Sequence, residues 1–139
     1  GSDIYPGGFD INFPGTGTVE IVGSGSLLQA SSAIDMTKNA SSVGVLDFTA
    51  DAAGLGQVVA GGLVTINTDD KLNVDITDYA YGSPQLVLVD CASRTGSFDA
   101  GNITITTAPG ASAVVDQTTF APDIVLVNIK PPTTTIMFR

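Results

Sequence analysis

A chain of 139 residues with 14 acidic and 5 basic side chains, net charge −9, lacks the clustered Lys and Arg that nucleic acid or an anionic membrane surface demands. It has no His and a single Cys, which removes Ser-His-Asp and Cys-His catalysis, an imidazole base, the usual zinc sites and an internal disulfide. No apolar run approaches the ~20 residues of a membrane helix, and at this length one domain buries about two thirds of the surface of its unfolded chain.

Gly1-Ser2, with no initiator Met, reads as a cloning remnant. Residues 1–17 are dense in Pro and Gly and predict an irregular lead-in whose Tyr5, Phe9 and Phe13 cover one end of the core, and residues 18–139 read as a single all-β domain. Alternation at Val19 and Ile21 breaks at Gly23-Ser24-Gly25 and resumes at Leu27-Leu28, which predicts two short strands around a tight corner. Further strands are expected at residues 33–36, 43–50, 57–60 and 63–67. The polar run 67–71 is a hairpin loop or a solenoid corner.

Residues 72–98 are the organising stretch. Leu72, Val74 and Ile76 alternate with Asn73, Asp75 and Thr77, the pattern of a half-buried strand. Residues 85–92 are apolar on both faces and predict the centre of the core. Arg94-Thr95-Gly96 supplies a turn in which Gly96 takes a positive φ, and Phe98 returns to the interior. Strands follow at 102–107, 112–115 and 123–129. Pro131-Pro132 ends the last of these, and 133–138 is a candidate edge strand. About ten short strands at a spacing of ~8–12 residues, with no helical period, define an all-β chain.

Residues 15–36 and 41–105 are rich in Gly, Ser and Thr. Gly62, Leu63, Val64 and Ile66, then Leu72, Val74 and Asp75, then Leu86, Leu88 and Asp90 followed by Gly96 and Phe98, fall into patterns of the G-x-L-x-I, L-x-V-D and L-x-L-x-D…G-x-F kind. This arrangement resembles the repeats and closing segments of bacterial autotransporter-like surface adhesins. The resemblance implies a right-handed β-solenoid or the β-sandwich-like cap that closes one, with an architectural or adhesive role. A clean repeat period is missing, so an antiparallel jelly-roll sandwich stands as the alternative.

Enzyme chemistry in this chain would have to rest on carboxylates. A glycan-cleaving pair such as Asp75 with Asp90 would need the two groups roughly 5–10 Å apart across a cleft. Strand and turn acids are the ordinary reading, and the chain is expected not to be an enzyme. Ca²⁺ is the candidate ion, because Asp69, Asp70, Asp75 and Asp78 crowd together with Asn67 and Asn73. No EF-hand spacing accompanies them, and no cofactor is required. Tyr79 and Tyr81, two apart, would form a sugar-stacking platform if exposed. Cys91 closes the most apolar strand and reads as a buried small hydrophobe.

With 14% charged residues, the expectation is a non-catalytic structural or adhesive β-domain, extracellular or on the cell surface, within a larger assembly. Its partners would be other copies, a cell surface or glycan, without nucleic acid and without membrane insertion. A carbohydrate-binding module, calcium-dependent or not, is the alternative, and a carboxylate-only glycan-cleaving enzyme is the third reading.

Overall fold

The computed structural model describes residues 2–5, 9–10, 16–36 and 43–132. Over these the chain is all-β, with no α-helix. The strands are β1 (Ser2–Tyr5), β2 (Phe9–Asp10), β3 (Thr16–Val22), β4 (Leu27–Ala30), β5 (Ile34–Asp35), β6 (Val43–Thr49), β7 (Gln57–Thr65), β8 (Lys71–Asp75), β9 (Leu86–Thr95), β10 (Ile103–Thr106), β11 (Ser112–Asp116) and β12 (Ile124–Lys130). One 3-10 turn, Ala100–Asn102, precedes β10. A larger sheet runs β1-β4-β7-β9-β12-β11, with β5 also on β7 and β2 on β5. A smaller sheet runs β10-β8-β6-β3.

From β3 onward the chain crosses from one sheet to the other and back: β3, β6, β8 and β10 in the smaller sheet, β4 with β5, β7 and β9 in the larger. Every pair in the smaller sheet is parallel, and so are β4 with β7 and β7 with β9. Parallel neighbours need a crossover, which a two-residue hairpin cannot provide. The run 67–71 is therefore a corner between sheets.

The ladders place like beside like. In the smaller sheet Val19, Leu46, Leu72 and Ile103 stand side by side, and next to them Ile21, Phe48, Val74 and Ile105. In the larger sheet Leu28, Val58, Val89 and Ile124 form the matching column. Both sets feed one core in which Phe48, Leu72, Leu88, Ile124 and Leu126 are fully buried. Each such side chain contributes about 1.5–3 kcal/mol relative to exposure.

Four features of the fold depart from the sequence reading. The lead-in carries two strands, β1 and β2, that pair in parallel with β4 and β5; the side chains of Tyr5, Phe9 and Phe13, and the whole of 133–138, lie outside the described residues. The strands expected at 57–60 and 63–67 are one strand, β7, whose register shifts between Ala60 and Leu63. A Cβ on Gly61 would meet the Ser31 carbonyl oxygen at 2.3 Å, so the neighbouring coil approaches the backbone as closely as only glycine allows.

The expected double-sided burial of β9 is a bulge. Ile124 pairs with Val89 and Val125 with Val87, which leaves Leu88 without its own partner on β12; consecutive Leu88 and Val89 are both buried, while Leu86 and Val87 are half-buried. Finally, β9 runs through Arg94 and Thr95, so the turn begins only at Gly96, where φ is +82°.

At the C-terminal end the parallel order stops. β12 runs antiparallel to β9, and β11 antiparallel to β12. Ala113 and Val115 of β11, with Ile103 and Ile105 of β10, pack against the core as its partly buried margin.

Candidate functional site

The acidic corner between β7 and β8 was the sequence's candidate metal site. Asp70 is fully buried there. Its Oδ2 accepts from the Asn67 N–H at 2.8 Å and its Oδ1 from the Gly44 N–H at 2.9 Å, while its own N–H donates to the Asn67 carbonyl. One oxygen thus closes the corner, and the other ties it to the coil before. Asp75 Oδ1 accepts from the Thr77 N–H at 2.9 Å, a local turn, and Asp69 and Asp78 are exposed. Among the described residues no group of three or more His, Cys, Asp or Glu side chains is placed to hold a metal. The four acids close in sequence are spread over a buried cap, a strand end and two solvent positions.

Tyr79 and Tyr81 form no platform. Tyr79 is 5% exposed, and its hydroxyl accepts from the Ser83 N–H at 2.7 Å. Tyr81, half-buried with φ +57°, lies with its ring centroid 5.4 Å from that of Tyr79 and the planes at 43°. The pair fills the corner between β8 and β9, so the Tyr79 ring has no free face on which a sugar could stack. Asp75 and Asp90 stand on the outward sides of different sheets, because their neighbours Val74 and Ile76, and Val89 and Cys91, are the buried ones. The core lies between them, which is the wrong arrangement for two carboxylates flanking one glycosidic bond.

Three polar clusters matter more than those the sequence singled out. At the opposite corner from Asp70, Asp51 Oδ2 accepts from both the N–H and the hydroxyl of Ser24, each at 2.9 Å, and Oδ1 accepts from the Ala53 and Gly54 N–H groups at 3.0 and 3.1 Å. The Ser24 bonds, first, and then those of Gly54 and Ala53 hold this carboxyl below its ordinary pKa. Asp116 accepts from Thr119 and Thr118 at the end of β11, and these bonds, those of Thr119 first, lower its pKa to about 2.

The third cluster is Arg94. In the ladder Ile34, Val64, Arg94 it occupies a place that is apolar and buried in the two preceding coils. Its Nε donates to the Gly96 carbonyl at 3.0 Å, Nη1 to the Pro122 and Asp123 carbonyls at 2.9 and 3.3 Å, and Nη2 to the Gln117 carbonyl. Gln117 in turn exchanges two bonds with the backbone of Phe98, at 2.8 and 3.0 Å. Together they clasp residues 117–123 onto the end of β9. A shallow cleft of about 590 Å³ beside the clasp is lined by Ser93, Arg94, Ser97 and Pro122, among others; with the guanidinium committed to carbonyls it offers no free cation. Cys91 lies beneath, buried, its N–H bonded to Asp123 Oδ1 and its thiol to the Pro122 carbonyl. Burial first, and the Asp123 charge second, push its thiol pKa up, which disfavours the reactive thiolate.

Only the spacing of Asp51 from the Gly23-Ser24-Gly25 corner could have suggested these ties. Nothing in the sequence pairs Arg94 with a loop more than twenty residues away.

These observations define a class: an all-β domain of two sheets around one core, with its buried and turn carboxylates used to satisfy backbone donors. Comparison with protein-family models, with curated proteins and with solved structures finds no match.

Proposed function

We propose that the chain is a non-catalytic structural module of an extracellular or cell-surface protein, built as a short right-handed stack of parallel coils and closed at its C-terminal end by the antiparallel pair β11–β12. The observation that carries this reading is the in-register parallel ladder through β3, β6, β8 and β10, repeated in β4, β7 and β9. A jelly roll is built from antiparallel neighbours. Crossovers between parallel strands of one sheet are right-handed in nearly all proteins, which supports the hand. Each coil leans on the next through apolar columns and through Asp51 and Asp70 at the two corners. Such an arrangement bears load along its axis and leaves the acids little to offer a substrate.

The low fraction of charged residues and the abundance of Gly, Ser and Thr support a place outside the cell. The test is labelling of intact source cells with antibodies raised against the folded domain. Staining that surface proteolysis removes is the expected result; staining only after permeabilisation would refute the location.

A further inference from the structure

We propose that the outer edge of β3 is a docking site for a parallel β-strand of a different chain, carrying a basic residue between two apolar ones. The inference rests on the stacked-coil reading. Among the described residues β3 is the edge of the smaller sheet and pairs only with β6. The same sheet's other outer strand, β10, lies against β11, where the antiparallel pair closes that end. β3 has no equivalent cover among the described residues, and it carries neither Pro nor Lys, the usual means of blunting an edge. The Val22 carbonyl at its end accepts from the Ser26 hydroxyl, and along residues 16–21 no strand lies beyond β3 among the described residues, which makes this stretch a template for strand addition.

The ladder states what the added strand must look like. Each rung of the smaller sheet sets apolar side chains in the Val19 and Ile21 columns. Val19 is only half-buried, and Val22, at the end of β3, is 56% exposed. Between them Glu20 is exposed and pairs directly with Asp47 of β6, so the outward column begins with two like charges side by side. Like charges on adjacent strands repel, and a Lys or Arg on the other side of Glu20 relieves that repulsion. A second copy of this chain is disfavoured as the occupant, because each copy carries a net charge of −9.

The test is titration of the folded domain with a synthetic peptide of about nine residues, Gly beside Gly17, Val beside Val19 and Ile21, and Lys beside Glu20, followed by amide NMR. Expected are shifts confined to β3, binding weakened about fivefold by Glu20→Lys, and recovery when the peptide's Lys is exchanged for Glu. Glu20 is exposed, so this variant folds. Backbone N-methylation of the peptide should abolish binding. Failure of both peptides to shift β3 at millimolar concentration, while the β6 amides and those β3 amides that face β6 stay protected from exchange, would overturn the docking and leave the coil reading intact. Free exchange of the β3, β6 and β8 amides would remove the basis of both. Sedimentation showing that the domain alone dimerises through β3 would also overturn the proposal in favour of a second copy.

Discussion

Asp70 carries the corner between β7 and β8, since removing its carboxylate takes this acceptor from the buried Gly44 N–H and from the part-buried Asn67 N–H. An abandoned buried donor costs about 1–3 kcal/mol. Asp70→Ala should therefore lower stability in urea by about 2 kcal/mol, whereas Asp69→Ala, at an exposed position, should stay within about 0.5 kcal/mol. Equal effects would contradict a corner held by Asp70. Gly96 is a second residue-scale test. Its φ is +82°, and a Cβ would stand 1.9 Å from the Ile66 carbonyl oxygen, so Gly96→Ala should cost about 3 kcal/mol or more, while Gly25→Ala, with open space around it, should be close to neutral. Asp116 sets a pH dependence. Its carboxyl is lowered from 3.8 to about 2, so the stability it contributes is complete above its unfolded value and disappears as pH falls through the window from about 4 to about 2. Asp51, lowered by the bonds from Ser24, acts in the same direction. The stability gap between the wild-type chain and Asp116→Asn should narrow from pH 5 to pH 2; a constant gap would contradict the assignment.

At the scale of elements, β8 and the corner at residues 23–25 were readable because alternation and Gly-Ser-Gly act locally. The parallel partners were not. Val19, Leu46, Leu72 and Ile103 stand side by side at spacings of 27, 26 and 31 residues, because the loops at the corners differ in length while the strands keep register. Unequal loops hide a period from any reading of residue spacing, although the columns themselves are regular. The same blindness produced the metal cluster: Asp69, Asp70, Asp75 and Asp78 are neighbours along the chain, but a buried corner and a strand end send them to different surroundings. The clasp of Arg94 gives the element-scale prediction. Arg94→Ala removes the donor held by the carbonyls of Gly96, Gln117, Pro122 and Asp123 and should cost about 2 kcal/mol. It should also speed amide exchange at Cys91, whose N–H is bonded to Asp123, while the β3, β6 and β8 amides keep their protection. Loosening that spreads evenly through both sheets would refute a local clasp.

At the scale of the molecule, two sheets around one core hold the aspartates at separate corners and strand ends, and the described residues gather no metal-type cluster. Millimolar Ca²⁺ should leave the midpoint of thermal unfolding where EDTA leaves it, because an ion bound only by the folded state at about a hundred times its Kd would add roughly 2.7 kcal/mol. The fold and the proposed role both rest on the parallel order of β3, β6, β8 and β10, which cross-strand NMR contacts in the smaller sheet report. Expected is a relay in which Val19 meets Leu46, Leu46 meets Leu72 and Leu72 meets Ile103, all strands running the same way. Antiparallel contacts between β6 and β8, or between β3 and β6, would contradict it.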